Sequence, residues 1–388
     1  MFRAKNLSLS TRKSRVRTMT TTGWIWDERF MTHDTRAWSL PWQEPIDHPE
    51  KGDTKRRFAS LVKRSGLDQY LVPLPFTPAS EADLLRVHTP EYVDRILNPI
   101  GPVWSDAGDG ETPVGPGSAD IARLAAGAVI SAFNAVVSGT VTNAYALIRP
   151  PGHHAIANQG MGYCIFHNTA VGIRHLQQTG AVKRVAVIDW DVHHGNGTET
   201  LFYDDPSVLT ISLHQDDLYP IGRGKVQDIG TGPGLGANLN IPLPAGSGRG
   251  AYLGAFERIV MPAVRRFQPD LIVIASGFDS AAMDPFGRQL LYSGAYRELT
   301  TQVMNLAEEV CKSRVVAVHE GGYDPLMGPF CGLAVVETLA GRRTAVEDPW
   351  MNTVANLPEQ ALLPHHDAAI RACEQLLTGV PDGSKSAR

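Results

Sequence analysis

The chain has 388 residues, 43% of them hydrophobic and 20% charged, with a formal net charge of −4. Such a composition suits a folded globular protein and gives no overall electrostatic pull toward nucleic acid or an anionic membrane. Its four cysteines (Cys164, Cys311, Cys331, Cys373) stand far apart without a CxxC pair, so they read as reduced thiols of a cytoplasmic protein, not a disulfide frame or zinc knuckle.

The N-terminus, MFRAKNLSLSTRKSRVR, is basic but lacks the apolar core of a secretory signal. Residues 1–18 are expected to form a disordered extension before Met19, residues 19–378 a single catalytic domain, and residues 379–388 a disordered tail. Residues 19–50 carry Trp24, Trp26, His33, Trp38, Trp42 and His48 and read as loop. Asp53 to Ser65 predicts a helix that stops near Gly66. A second starts at the Pro78–Glu81 turn and is interrupted by Pro90.

Residues 98–118 form the longest Gly/Pro-rich loop, a length that is usually functional or disordered. IARLAAGAVISAFNAVV follows, a helix expected to be buried on most faces. No apolar run is expected to reach the roughly 20 residues that span a bilayer.

Five strand-like runs then recur: AYALI (144–148), RVAVIDW (184–190), VLTISL (208–213), LIVIASG (271–277) and VVAVHEGG (315–322). Helical stretches at 169–179, 251–267 and 294–312 separate several of them. This alternation predicts an α/β domain, a mostly parallel sheet flanked by helices. Ligands of such sheets bind at the carboxyl ends of the strands.

Four of those ends turn polar: RPPGHHA, DWDVHHGNG, GFDSAAMDP and HEGGYDP. Asp189, Asp191 and His193 stand two apart, so an extended backbone points them the same way. Carboxylates and an imidazole that converge need a cation, because unpaired buried charge is costly. Asp191, His193 and Asp279 together suit one zinc ion with open positions. His153 and His154 follow a Pro-Pro-Gly turn and suit proton transfer beside a metal, with Asp189 and Asn196 as orienting partners. The hydroxyl of Tyr323 suits stabilising an oxyanion.

Read together and in order, RPPGHHA, MGYCIFHNTA, VAVIDWDVHHGNGT, ISLHQ, ASGFDS and HEGGY resemble the zinc-dependent histone deacetylase and acetylpolyamine amidohydrolase superfamily over about residues 19–375. HHGNGT with Asn196, and HEGGY, are closer to its class II and bacterial amidohydrolase branch. The resemblance implies the arginase–deacetylase fold and zinc on Asp191, His193 and Asp279. It implies His154 as general base and acid, with His153 electrostatic and paired to Asp189, and Tyr323 polarising the carbonyl. It implies Gly162, Tyr163 and Tyr219 as walls of an acyl-amine tunnel, and a structural potassium ion at Asp189, Ser212 and Leu213.

Two positions depart from the family pattern. Where many relatives have an arginine along an acetate-exit channel, HPEKGDTKRR places Thr54, with Arg56 two residues on. Where polyamine-selective relatives carry a glutamate at the tunnel mouth, this chain has Phe286, leaving Asp106, Asp109 or Glu111 as candidate acids. The expected activity is hydrolysis of an acylated amine, either a small molecule or an acetyl-lysine peptide, with a homo-oligomer compatible. The alternatives are an acetylpolyamine deacetylase, a non-catalytic acyl-amine binder, and an arginase-like two-manganese hydrolase. The last needs bridging acids beyond Asp279 and a displaced Asp284.

Overall fold

Alternate residues of each central strand face two different helical layers. In the strand Leu271–Ser276, Ile272 and Ile274 join one apolar cluster, and Leu271 and Val273 join another. Both faces are therefore buried, as the continuous β-branched runs require. Each such side chain removed from water contributes about 1.5–3 kcal/mol.

The computed structural model describes residues 20–39, 41–99 and 104–384, and the extension expected at 1–18 lies outside them. One eight-stranded parallel sheet organises the domain. Its strands are β1 (Thr22–Ile25), β2 (Leu71–Pro73), β3 (Asn143–Ala146), β4 (Val185–Asp189), β5 (Val208–Gln215), β6 (Asn238–Leu243), β7 (Leu271–Ser276) and β8 (Val315–His319). They lie in the order β6-β5-β4-β7-β8-β3-β1-β2.

The five expected strands are β3, β4, β5, β7 and β8. The other three correct the sequence reading, which took 19–50 as loop and saw no strand at 71–73 or 238–243. The helix expected after Pro78 is two short ones, Glu81–Leu84 and Pro90–Leu97, with Thr89 capping the second. The long loop holds a ribbon pairing Ser105–Asp106 with Pro113–Val114.

On one face of the sheet lie α1 (Asp53–Arg64) and, later in the chain, the helices Ser293–Val310 and Gly328–Leu339. On the other face lie α2 (Ser118–Val137) and α3 (Asn168–Gln178). Against expectation, the 20-residue α2 is long and apolar enough to cross a membrane. Here it is a core helix, with Ala125, Val129, Phe133 and Val136 packed on the face of β1, β3 and β8.

Residues 379–384 of the expected tail are packed against the domain, and 385–388 lie outside the described residues. Val380 is buried, and Gly383 donates its N–H to the Arg266 carbonyl at 3.0 Å. All four cysteines are buried and free.

The register brings the reactive loops to one edge. Asp189 at the end of β4 pairs with Ala275 on one side and Ser212 on the other. Ser276 pairs with His319, and Val318 with Ala146. The loops after β3, β4, β7 and β8 therefore leave the sheet together.

Candidate active site

Asp191, His193 and Asp279 are all buried, and their donor atoms face one another. His193 Nδ1 lies 3.1 Å from Asp191 Oδ1 and 3.1 Å from Asp279 Oδ2. The other carboxylate oxygens accept from backbone. Val192 N–H donates to Asp279 Oδ1 at 2.7 Å, and Gly321 N–H to Asp191 Oδ2 at 2.9 Å. A Cβ at Gly321 would collide with both carboxylates, so the glycine serves close approach here.

Burial opposes a charge on His193, but the two carboxylates overcome it and hold the ring at about 10. Burial, then the charge of Asp191, raises Asp279 to about 7. Two buried carboxylates that cannot comfortably ionise together suit a cation between them. Donors about 2.0–2.2 Å from a tetrahedral zinc lie roughly 3.4 Å apart. The O/N set and its 3.1 Å spacing fit such an ion.

The histidine pair sits on the neighbouring loop, its rings 4.0 Å apart. His153 Nδ1–H donates to Asp189 Oδ2 at 2.9 Å, and its other nitrogen lies 3.8 Å from Asp191. Burial opposes its charge, but Asp191 and Asp189 raise it well above the ordinary histidine range. His154 Nδ1–H donates to Asn196 Oδ1 at 2.7 Å, and Asn196 Nδ2–H returns a bond to the His154 carbonyl at 3.2 Å. Burial, then the charges of His153 and His193, holds His154 well below its ordinary value. A neutral ring whose Nδ1 carries the proton has Nε2 free as an acceptor. One ring of the pair is thus built to hold charge and the other to take a proton.

Tyr323 meets Tyr163 at 5.9 Å and Phe286 at 5.1 Å, both edge to face. Tyr219 lies 5.0 Å from His154 and 6.0 Å from His193. Burial raises the Tyr323 hydroxyl well above its ordinary value, so it stays a donor. The expected wall residues and Phe286 thus lie around the same site. Leu213 points its side chain into the core, and Ser212 Oγ meets His214 Nδ1 at 2.9 Å. A small cavity of about 10 Å³, lined by Asp189 and Ser212 among others, adjoins them.

Several supporting roles were not read from the sequence. Asp109 Oδ2 accepts from Gly162 N–H at 2.8 Å, and Thr112 Oγ1 accepts from Tyr163 N–H at 2.9 Å. Gly162 and Tyr163 both have positive φ, 54° and 68°, so the 98–118 loop clamps a strained stretch of wall. Asp284 accepts from the N–H groups of Tyr323 (2.7 Å), Asp324 (3.1 Å) and Phe286 (2.9 Å). It thereby holds the Tyr323 loop. Glu320 likewise accepts from Gly152 and His153 N–H at 2.7 and 3.1 Å.

The segment around Thr54 needs a correction. Thr54 is buried and Arg56 pairs outward with Asp53, but Lys55 between them turns inward. Its Nζ lies 2.9 Å from Glu50 and 5.7 Å from the Tyr323 ring. Arg149 grips the same buried Glu50 through Nε at 2.8 Å. The cation beside the site is therefore a lysine one residue away from the position expected to lack one.

Comparison with known proteins agrees with this geometry. The histone deacetylase domain family matches residues 48–339. A histone deacetylase-like amidohydrolase of Pseudomonas aeruginosa is 48% identical over 340 residues, 84% of this chain and 88% of that protein. A probable deacetylase of Archaeoglobus fulgidus is 37% identical, over 84% of this chain and 89% of its own length. The polyamine deacetylase HDAC10 of Homo sapiens is 36% identical over 79% of this chain, but the match spans only 47% of that protein. The crystal structure of the HDA15 HD domain superposes with a TM-score of 0.78 at 31% identity, over 93% of this chain and 99% of that one. The chain belongs to the histone deacetylase family and is a hydrolase of amide bonds, a deacetylase, in a family that depends on zinc.

Proposed function

We propose that the chain removes a short acyl group from the nitrogen of an acylated amine, with Asp191, His193 and Asp279 holding one zinc ion. The observation that carries this reading is the pairing of His153 on the Asp189 carboxylate with His154 on the Asn196 amide beside three converging metal donors. Bound zinc supplies Lewis acidity toward the amide oxygen and a water of lowered pKa. His154 takes the proton of the attacking water at Nε2. Tyr323 donates its O–H to the oxyanion that develops on the former carbonyl. The histidine pair then gives a proton to the leaving nitrogen as the C–N bond breaks. Potassium belongs to the same reading, on Asp189, Ser212 and the Leu213 carbonyl, and would bear on the electrostatics of the pair.

The test is hydrolysis of acetyl-lysine peptides, acetylpolyamines and simple acylated amines by zinc-loaded protein. Loss of one oxyanion donor costs about 10²–10³-fold. Tyr323→Phe is expected to lower turnover by that much while zinc content, read by elemental analysis, stays unchanged. Near-normal turnover would assign the hydroxyl another role.

Phe286 bears on selectivity. An apolar ring beside Tyr323 gives a polyamine's second ammonium no counter-charge as it loses water. A cation–π contact offsets only about 0.5–1 kcal/mol at an exposed site. Amines with apolar or neutral bodies are therefore expected to outperform acetylspermidine and acetylputrescine in kcat/KM, and Phe286→Glu to shift preference toward the polyamines. Highest efficiency of the wild type on acetylpolyamines would refute this.

A further inference from the structure

Beside the tunnel wall lies an open cavity of about 460 Å³, with Arg36, Trp38, His48, Asp106 and Glu111 among its lining residues. His48 joins it to the site: its ring lies 4.9 Å edge-on from Tyr163, which is 5.9 Å from Tyr323. The Tyr323–Tyr163–His48 ring contacts thus connect the site to this cavity.

The charges of the cavity are not equally free. Asp106 accepts from the N–H groups of Gly108 (2.7 Å), Gly110 (2.8 Å) and Thr112 (3.0 Å). Asp109 is likewise spent, on Gly162, Glu111 and Thr112. Of the three acids that the sequence offered, Glu111 is left, and its carboxylate has no hydrogen bond or ion pair among the described residues. Its charge is close enough to bear on the hydroxyls of Tyr163 and Tyr219. Arg36 lines the same cavity with the opposite sign. Its guanidinium lies 5.8 Å from the Trp104 ring and pairs with no carboxylate among the described residues.

Both side chains are exposed to solvent and offer the cavity one charge of each sign, unpaired among the described residues. We propose that the cavity receives the far end of the substrate and that this end is zwitterionic, an α-amino acid head with its ammonium on Glu111 and its carboxylate on Arg36. This rests on the amidohydrolase reading and narrows its substrate to ω-N-acylated diamino acids such as free Nε-acetyl-lysine. Water adds to the acyl carbon, the C–N bond breaks, the nitrogen gains a proton and the head group leaves unaltered. Arg36 works against a far end that is only cationic, in keeping with the disfavoured polyamines.

The test compares Nε-acetyl-lysine with N-acetylcadaverine, which lacks the carboxylate, and N-acetylpentylamine, which lacks both charges. Zinc-loaded full chain is assayed for kcat/KM, and binding of the same three compounds is measured by calorimetry. Acetyl-lysine is expected to lead each of the others about fivefold in both measures, the scale of a solvent-exposed ion pair. Glu111→Gln should shrink its lead over N-acetylpentylamine, and Arg36→Gln its lead over N-acetylcadaverine, each about threefold or more. Equal wild-type values for acetyl-lysine and N-acetylpentylamine overturn the proposal, as do leads that neither variant changes. A preference for N-acetylcadaverine overturns it in favour of a purely cationic end. If no compound is hydrolysed the amidohydrolase reading fails, and the calorimetric ratios still decide the cavity.

Discussion

Asp279→Ala is expected to empty the metal site and to cost at least about 10³-fold in turnover, because a bound Lewis acid contributes several kcal/mol to such a reaction. Asp279 is fully buried, with Oδ1 held by the Val192 N–H and Oδ2 turned to His193 Nδ1. Alanine removes one of three donors and leaves His193 facing Asp191 alone. The same geometry sets the sign of a pH effect. Burial and the charge of Asp191 raise Asp279 to about 7. A metal ligand must be deprotonated, so protons compete with the ion as pH falls through that value. His193, held at about 10, must lose its proton as well, so zinc affinity is expected to rise with pH through both values and to be weaker at pH 5.5 than at pH 8. Dialysis at pH 8 and pH 5.5 followed by elemental analysis measures both effects. One equivalent of zinc retained by Asp279→Ala, with near-normal turnover, would place the ion elsewhere.

The convergence of Asp191, His193 and Asp279 was legible because each strand that leads to them is a β-branched run that ends abruptly in acid, histidine or glycine. The buried run Val185 to Ile188 can stop at Asp189 only where the sheet ends. Strands without that contrast were missed. β1 is the four residues TGWI, β2 is the three-residue edge strand LVP, and β6 reads NLNIPL. In β6 the polar alternation has a tertiary cause, since Asn238 and Asn240 both donate to buried Glu199 at 2.8 and 2.7 Å. Lys55 was hidden for a similar reason. Among Lys51, Arg56 and Arg57 it reads as one more solvated charge, and only the buried Glu50 singles it out.

The supporting acids were partly legible. Asp284 to Phe286 N–H and Asp109 to Glu111 N–H are bonds to the residue two positions on, the mark of an Asx turn. Their longer bonds, to Tyr323 and Gly162, depend on loops that meet only in the fold. Nothing local marks Glu320 as the acceptor for the His153 loop. The strands' chemistry was therefore readable, whereas the means of holding it in place was not.

His154→Ala is expected to lower turnover by about 10³–10⁴-fold, the upper range for a general base, and His153→Ala by clearly less. The asymmetry comes from the partners. Asp189 is an anion and stabilises charge on His153, whereas Asn196 is neutral and only fixes the orientation of His154. Burial and the neighbouring positive rings keep His154 uncharged at neutral pH. Activity needs that uncharged form, so the acid limb of the pH–rate profile should fall below the ordinary histidine value of about 6.5. A second limb at high pH, where the pair can no longer supply a proton to the leaving nitrogen, makes the profile bell-shaped. Asn196→Asp provides the discriminating case. A carboxylate on Nδ1 stabilises the protonated ring, raising its pKa and moving the acid limb to higher pH. Asn196→Ala removes the orienting acceptor without adding charge, so it should lower kcat with a much smaller shift of that limb. Equal residual rates for the two histidine variants, or an acid limb that Asn196→Asp leaves in place, would mean that the proton does not pass through His154 Nε2.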